Sequence, residues 1–121
     1  MRRRKLHEVS IALGMIEELK RIALENNALR VTCVKLKIGK MSGIVTDSLI
    51  FAFDAVKLEH PILSSATISI EEVPLVYECT QCLKTFETDS LAFPSCPFCG
   101  LYSLKLISGE EQNIENVELE I

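Results

Sequence analysis

The feature that most constrains this chain is a pair of pairs: Cys79-Thr80-Gln81-Cys82 and, after 13 intervening residues, Cys96-Pro97-Phe98-Cys99-Gly100. Two residues between the cysteines of each pair let a turn present both sulfurs, and two such turns can converge four thiolates on one tetrahedral ion. Zinc suits a closed shell of four cysteines, which leaves no position for water or substrate and makes the metal structural. Iron in a sulfur tetrahedron is the other metal candidate, and free thiols or two redox pairs are the metal-free alternative. The 13-residue gap is a little shorter than the usual ribbon spacing. Against the metal-free alternative, a small segment with few aliphatic residues needs some cross-link to fold at all. Gly100 permits the tight backbone after the last ligand. Five cysteines is an odd number, and four of them carry the spacing of metal knuckles rather than of a disulfide framework. A reducing cytoplasm is the expected home. Cys33, the remaining one, is read as a small buried hydrophobe on a strand.

The 121 residues, 48% hydrophobic and 25% charged, allow one ordinary domain or two very small ones and exclude a disordered or fibrous chain. From Val9 to Asn27 the apolar residues Val9, Ala12, Leu13, Ile16, Leu19 and Ala23 recur at steps of three and four, which predicts an amphipathic helix with Ser10 as a cap and Asn26-Asn27 at its end. Val31 to Ile38 alternates and reads as a half-buried strand, with Cys33 either beside Val31 or on the face of the lysines. A second helix follows from about Asp47 to Leu58, with N-cap candidates in Thr46-Asp47-Ser48 and with Leu49, Ala52, Phe53 and Val56 on one stripe. Ala66–Val73 and Asn113–Ile121 are read as two more strands. The expected fold is therefore α+β: a small three-stranded sheet with two helices packed on one face, plus an inserted zinc-ribbon domain. Residues 1–74 together with 110–121 form the α/β part and 75–109 the four-cysteine zinc ribbon, whose two ends should lie close together.

Charge narrows the function classes. The formal net charge is −4, with no basic field of the kind that draws a protein to nucleic acid or an anionic membrane. Within 75–109 only Lys84 and Lys105 are basic, against Glu78, Glu87 and Asp89, which suits phosphate contacts poorly. No run approaches the roughly 20 apolar residues of a membrane span. No Gly-rich phosphate loop ending in Lys-Ser/Thr appears and no nucleophile with an evident base can be assembled, so the chain is not read as an enzyme.

Two histidines remain. His60, between Glu59 and Pro61, is read as an exposed loop residue, with auxiliary metal contact as the sharper alternative. His7 and Glu8 stand directly before the expected helix. An imidazole next to a free amino terminus can form fused chelate rings from amine, deprotonated backbone amide and ring nitrogen, a nitrogen-rich planar set that suits Ni²⁺ or Cu²⁺. Glu8 is either an acid at the positive start of the helix or a group that orients a ligand.

The stretch His7-Glu8-Val9-Ser10-Ile11, Lys37-Ile38-Gly39-Lys40-Met41-Ser42-Gly43, Phe51-Ala52-Phe53-Asp54, Ile70-Glu71-Glu72-Val73-Pro74, the two cysteine pairs and Ser108-Gly109-Glu110-Glu111 together resemble the HypA family of nickel-insertion accessory proteins. The resemblance covers residues 6–121. It implies a nickel metallochaperone for maturation of nickel–iron hydrogenase, working with a HypB-type GTPase and the hydrogenase large subunit, and in some bacteria with urease maturation proteins. It places nickel on His7, through ring and backbone nitrogens, on the backbone amide of Glu8, and on the amine of the first residue, and zinc on Cys79, Cys82, Cys96 and Cys99.

One departure stands out. Family members begin Met-His-Glu, whereas Leu6 occupies the Met position here with Met1-Arg2-Arg3-Arg4-Lys5 ahead of it. A leucine codon can initiate translation in bacteria, and we expect Leu6 to supply the free amine as the true first residue. The same five residues are a charge anomaly: they hold four of the 13 basic residues, and the remainder sets nine basic against 17 acidic groups. The competing reading is a zinc-ribbon module for protein or nucleic acid without nickel delivery.

Overall fold

The computed structural model describes the backbone of residues 2–92 and 94–121, and side chains from Glu8 onward. Helix α1 spans Arg2–Glu25, followed by strand β1 (Arg30–Gly39), helix α2 (Thr46–Val56), two single 3-10 turns (Lys57–Glu59 and Pro61–Leu63) and β2 (Thr67–Val73). Then come β3 (Leu75–Cys79), β4 (Thr85–Thr88), β5 (Leu104–Ser108) and β6 (Gln112–Glu120). Two three-stranded sheets result, one ordered β2-β1-β6 and the other β4-β3-β5. In the first, β1 runs parallel to β2, which requires a crossover that α2 provides, and antiparallel to β6. The second sheet is antiparallel throughout and lies in sequence between β2 and β6.

The expected start of α1 is corrected. The helix begins at Arg2, so Ser10 is an exposed interior residue and caps nothing. Its buried stripe is also rotated: Glu8, Ala12, Met15, Ile16, Leu19 and Ala23 face the core, while Val9 and Leu13 are 40% and 47% exposed. The end of α1 is as expected from Asn26-Asn27. Asn27 adopts the left-handed φ of 53°, the Ala28 N–H donates to the Ala23 carbonyl (2.9 Å) and the Asn27 N–H to Leu24 (3.2 Å), the two bonds of a Schellman terminator.

Helix α2 buries Leu49, Ala52 and Phe53, as its stripe requires, and ends at Val56, two residues short of the expected Leu58. Its N-cap is Val45, and none of Thr46, Asp47 or Ser48 makes a side-chain cap.

In β1 the period-two pattern is broken by a bulge between Val31 and Cys33. That bulge lets Val31 and Val34, three residues apart, both enter the core with Leu36 and Ile38. It also turns Cys33 to the helix-free face beside Lys35 and Lys37. Cys33 is half-buried there, so its assignment to the core is corrected. This outer face is a solvated charge lattice in which Lys35 reaches Glu71 (3.4 Å) and Glu115 (3.6 Å), and Lys37 reaches Glu115 (3.2 Å). Such exposed pairs contribute little to stability individually.

The chain passes between the sheets twice, at Val73-Pro74-Leu75 and at Ser108-Gly109-Glu110, and the two passages meet. The Ser108 hydroxyl donates to the Pro74 carbonyl at 2.9 Å. Both passages bond the end of β1: the Lys40 N–H donates to Val73 (3.0 Å), the Met41 N–H to Gly109 (2.7 Å) and the Gly39 N–H to Glu111 (2.8 Å). A side-chain tie adds to these, with Lys40 Nζ 2.6 Å from Asp89 just past β4.

Candidate metal centres

Cys79 ends β3 and Cys82 sits in the following turn; Cys96 and Cys99 occupy the loop before β5. The two turns are built alike. In the first, the Leu83 N–H donates to the Cys79 carbonyl (2.8 Å) and the Cys79 N–H to Lys84 (2.9 Å). In the second, the Gly100 N–H donates to Cys96 (2.8 Å) and the Cys96 N–H to Leu101 (2.8 Å). Each turn closes on a left-handed residue, Leu83 at φ 64° and Gly100 at φ 78°. Glycine adopts that conformation freely, whereas leucine is strained in it. Sequence reasoning finds Gly100 and misses Leu83, which only the four-residue offset from the first cysteine of each pair could have revealed.

All four sulfurs lie within 4.8 Å of one another. The closest pairs are Cys79–Cys99 at 3.5 Å and Cys82–Cys96 at 3.6 Å, too far for disulfides. A zinc–sulfur bond of about 2.3 Å puts tetrahedral sulfurs roughly 3.8 Å apart, so the arrangement fits a four-thiolate zinc shell. Backbone amides are already aimed at the sulfurs. The Cys82 N–H points at Cys79 Sγ (3.5 Å) and the Phe98 N–H at Cys96 Sγ (3.4 Å). They favour the thiolate: the Cys82 N–H, against the opposing effect of burial, brings the Cys79 thiol down to about 6. Cys96 is also lowered, where burial acts to raise it but the amides of Cys99 and Phe98 prevail. At Cys99 the Leu101 amide favours the thiolate, but burial and the neighbouring sulfurs together outweigh it and push the thiol up to about 11. Four sulfurs this close cannot all ionise without a cation among them. A metal bound here would be held by Cys79, Cys82, Cys96 and Cys99 and would cross-link the two turns.

The other candidate centre is divided. The backbone of Leu6 and His7 lies within α1, but their side chains are outside the described residues. Glu8 is described, and it is only 1% exposed. Its Oε2 accepts the Val45 N–H at 2.9 Å, while Oε1 is buried with no hydrogen-bond partner among the described residues. His60 is half-buried between the two 3-10 turns and joins no group of potential ligands among the described residues. None of the described helices is long and apolar enough to cross a membrane.

The profile of the HypA family, described as hydrogenase/urease nickel incorporation, metallochaperone, matches residues 6–119. A protein of Geobacter metallireducens named hydrogenase maturation factor HypA is 37% identical over 115 residues, covering 95% of this chain and 100% of the relative. One of the same name from Desulfatibacillum aliphaticivorans is 39% identical over 116 residues, covering 94% and 87%. Among solved structures, the nickel metallochaperone HypA from Helicobacter pylori superposes with a TM-score of 0.65 at 22% identity, covering 93% of this chain and 97% of that one. A second HypA solution structure reaches 0.72 at 23% identity, covering 94% and 96%. These two show the same fold. Matched over nearly its whole length, the chain belongs to the HypA family.

Proposed function

We propose that this protein is a nickel metallochaperone that takes Ni²⁺ at its amino-terminal His-Glu motif and delivers it for hydrogenase maturation, with a structural zinc on Cys79, Cys82, Cys96 and Cys99. The observation that carries the proposal is the family match beginning at residue 6, the residue directly before His7. Nickel is the cargo. Its ligands are the ring and backbone nitrogens of His7, the backbone amide of Glu8 and the amine of Leu6 in a chain that begins there. Residues 75–109 act as the zinc-held unit, and 1–74 with 110–121 as the nickel-binding one.

Helix geometry supports the requirement for a free amine at Leu6. In an α-helix each N–H donates to the carbonyl four residues earlier, and the first four N–H groups have no such partner. With α1 running from Arg2, the amides of His7 and Glu8 fall beyond that first set and are held in the helix. In a chain begun at Leu6 the same amides are among the four unpartnered donors and are free to lose their protons to a metal.

Delivery needs a partner to drive release, since the chain carries no nucleotide-binding loop. A HypB-type GTPase, the hydrogenase large subunit and, in some settings, urease maturation proteins are the proposed contacts. Nickel titration of the 121-residue chain and of the chain begun at Leu6 tests the reading. The shorter form should bind one equivalent with a square-planar spectrum, and His7→Ala should abolish this while leaving zinc and fold intact. Stoichiometric nickel retained by His7→Ala would reject His7 as the anchor.

A further inference from the structure

Every described member of the buried stripe of α1 is apolar except the first, Glu8. A carboxyl group in that position is costly to bury, and one of its oxygens is left without a partner among the described residues. The other is used, and where it is used is informative. Val45 is the N-cap of α2, and its N–H is one of the donors that a helix start leaves unsatisfied. In a capping box a Glu or Gln three residues into the helix folds back to accept that proton. Here that position is Ser48, and the helix has no side-chain cap of its own. Glu8 supplies the missing acceptor from 37 residues away, at 2.9 Å.

We infer that the Glu8 side chain is a positioning residue for nickel: it pins the metal-binding backbone to the start of α2. The inference rests on the nickel site proposed above. In that site the backbone nitrogen of Glu8 is a ligand, and the side chain of the same residue is fixed to a rigid helix. The plane of nitrogen donors is thereby tied to the β1–α2 connection rather than left on a frayed terminus. This accounts for a carboxyl group where an apolar side chain would pack at lower cost. It also gives the connection from Lys40 to Val45, which bonds both passages to the zinc-held unit, a direct hold on the nickel ligands.

Glu8→Met keeps the volume and removes the acceptor, whereas Glu8→Gln keeps an oxygen for the Val45 amide. In the chain begun at Leu6, Glu8→Met should weaken nickel by about tenfold or more and shift its visible spectrum, with zinc content and the thermal midpoint unchanged or raised. Glu8→Gln should stay near the parent in both affinity and spectrum. In the 121-residue chain, Glu8→Met should speed hydrogen exchange at the Val45 amide. Parent-like nickel binding by Glu8→Met would overturn the inference. If that variant fails to fold, Glu8→Gln decides: retained affinity with a protected Val45 amide supports the anchor, and a loss of about tenfold overturns it. Failure of the parent to bind nickel would instead reject the nickel site, and Val45 exchange in Glu8→Met would still report whether the tether exists.

Discussion

The same added methyl group should have opposite effects at two glycines. Gly39 ends β1 where the two passages between the sheets cross it. A Cβ built there overlaps the Gly109 carbonyl and stands 2.5 Å from the Glu110 nitrogen. Both obstacles are backbone, so no side chain can swing aside. Relief requires the Gly109–Glu111 segment to move away from β1, and that segment is held by the Met41 to Gly109 bond (2.7 Å) and the Gly39 to Glu111 bond (2.8 Å). Gly109 itself is at φ 123°, with its own Cβ direction blocked by Leu75, so the segment has little room to rearrange. Losing these two bonds and straining the neighbouring Lys40 to Val73 bond, at about 1 kcal/mol each, gives about 3 kcal/mol for Gly39→Ala. With an unfolding entropy of about 2.1 cal/mol/K per residue, each kcal/mol shifts the midpoint by about 4 °C, so the expected drop is about 12 °C. Gly14 is an exposed residue of α1 with nothing within 4 Å of its missing Cβ. There, alanine gains about 1 kcal/mol of helix propensity and should raise the midpoint by about 4 °C. Thermal unfolding by circular dichroism on the zinc-loaded protein measures both. A Gly39→Ala midpoint within about 2 °C of the parent, roughly a sixth of the expected shift, would refute the crossing as a rigid junction.

Two further outcomes concern the sulfur site. Cys79→Ser should lose zinc and remove amide protection across β3, β4 and β5 while leaving the β2-β1-β6 sheet protected; unchanged zinc content by elemental analysis would sink the assignment. Zinc must also displace protons from the thiols, so it should bind more weakly as the pH falls. Competition against a metal-binding dye at about pH 5 and about pH 7 measures this, and equal zinc affinity at the two values would contradict ligation by thiolates.

What the sequence makes legible follows from how locally each feature is determined. The four cysteines, their spacing and Gly100 specify a site within one short segment, and the sulfurs converge as the spacing demands. The stripe of α2 is equally local, and Leu49, Ala52 and Phe53 are buried as periodicity requires. Periodicity misplaces the stripe of α1 by a fraction of a turn, since the expected helix begins at Val9 and leaves Glu8 outside it. A carboxyl group buried at 1% exposure is invisible to hydrophobic periodicity, since its burial depends on the Val45 amide brought to it by the fold. The expected cap of α2 fails because the helix starts earlier than its local signals suggest: Val45 takes the N-cap position, and Thr46, Asp47 and Ser48 fall inside the first turn.

Cys33 makes the same point on a strand. Strict alternation leaves it on either face, and the choice is made by a bulge whose cause lies in the pairing with β6, where Glu118 opposes Cys33 and Leu119 opposes Val31. Leu83 shows the reverse case, in which a local rule is available and easily overlooked. Its left-handed backbone is dictated by equivalence with Gly100, and the sequence offers leucine where the second turn has glycine. A strained residue of this kind persists only when its surroundings over-determine it. Here the Leu83 and Cys79 backbone bonds and the convergence of four sulfurs do so together. The first turn therefore depends on a bound metal more than the second does, and its geometry should be the first to relax when the ion is removed.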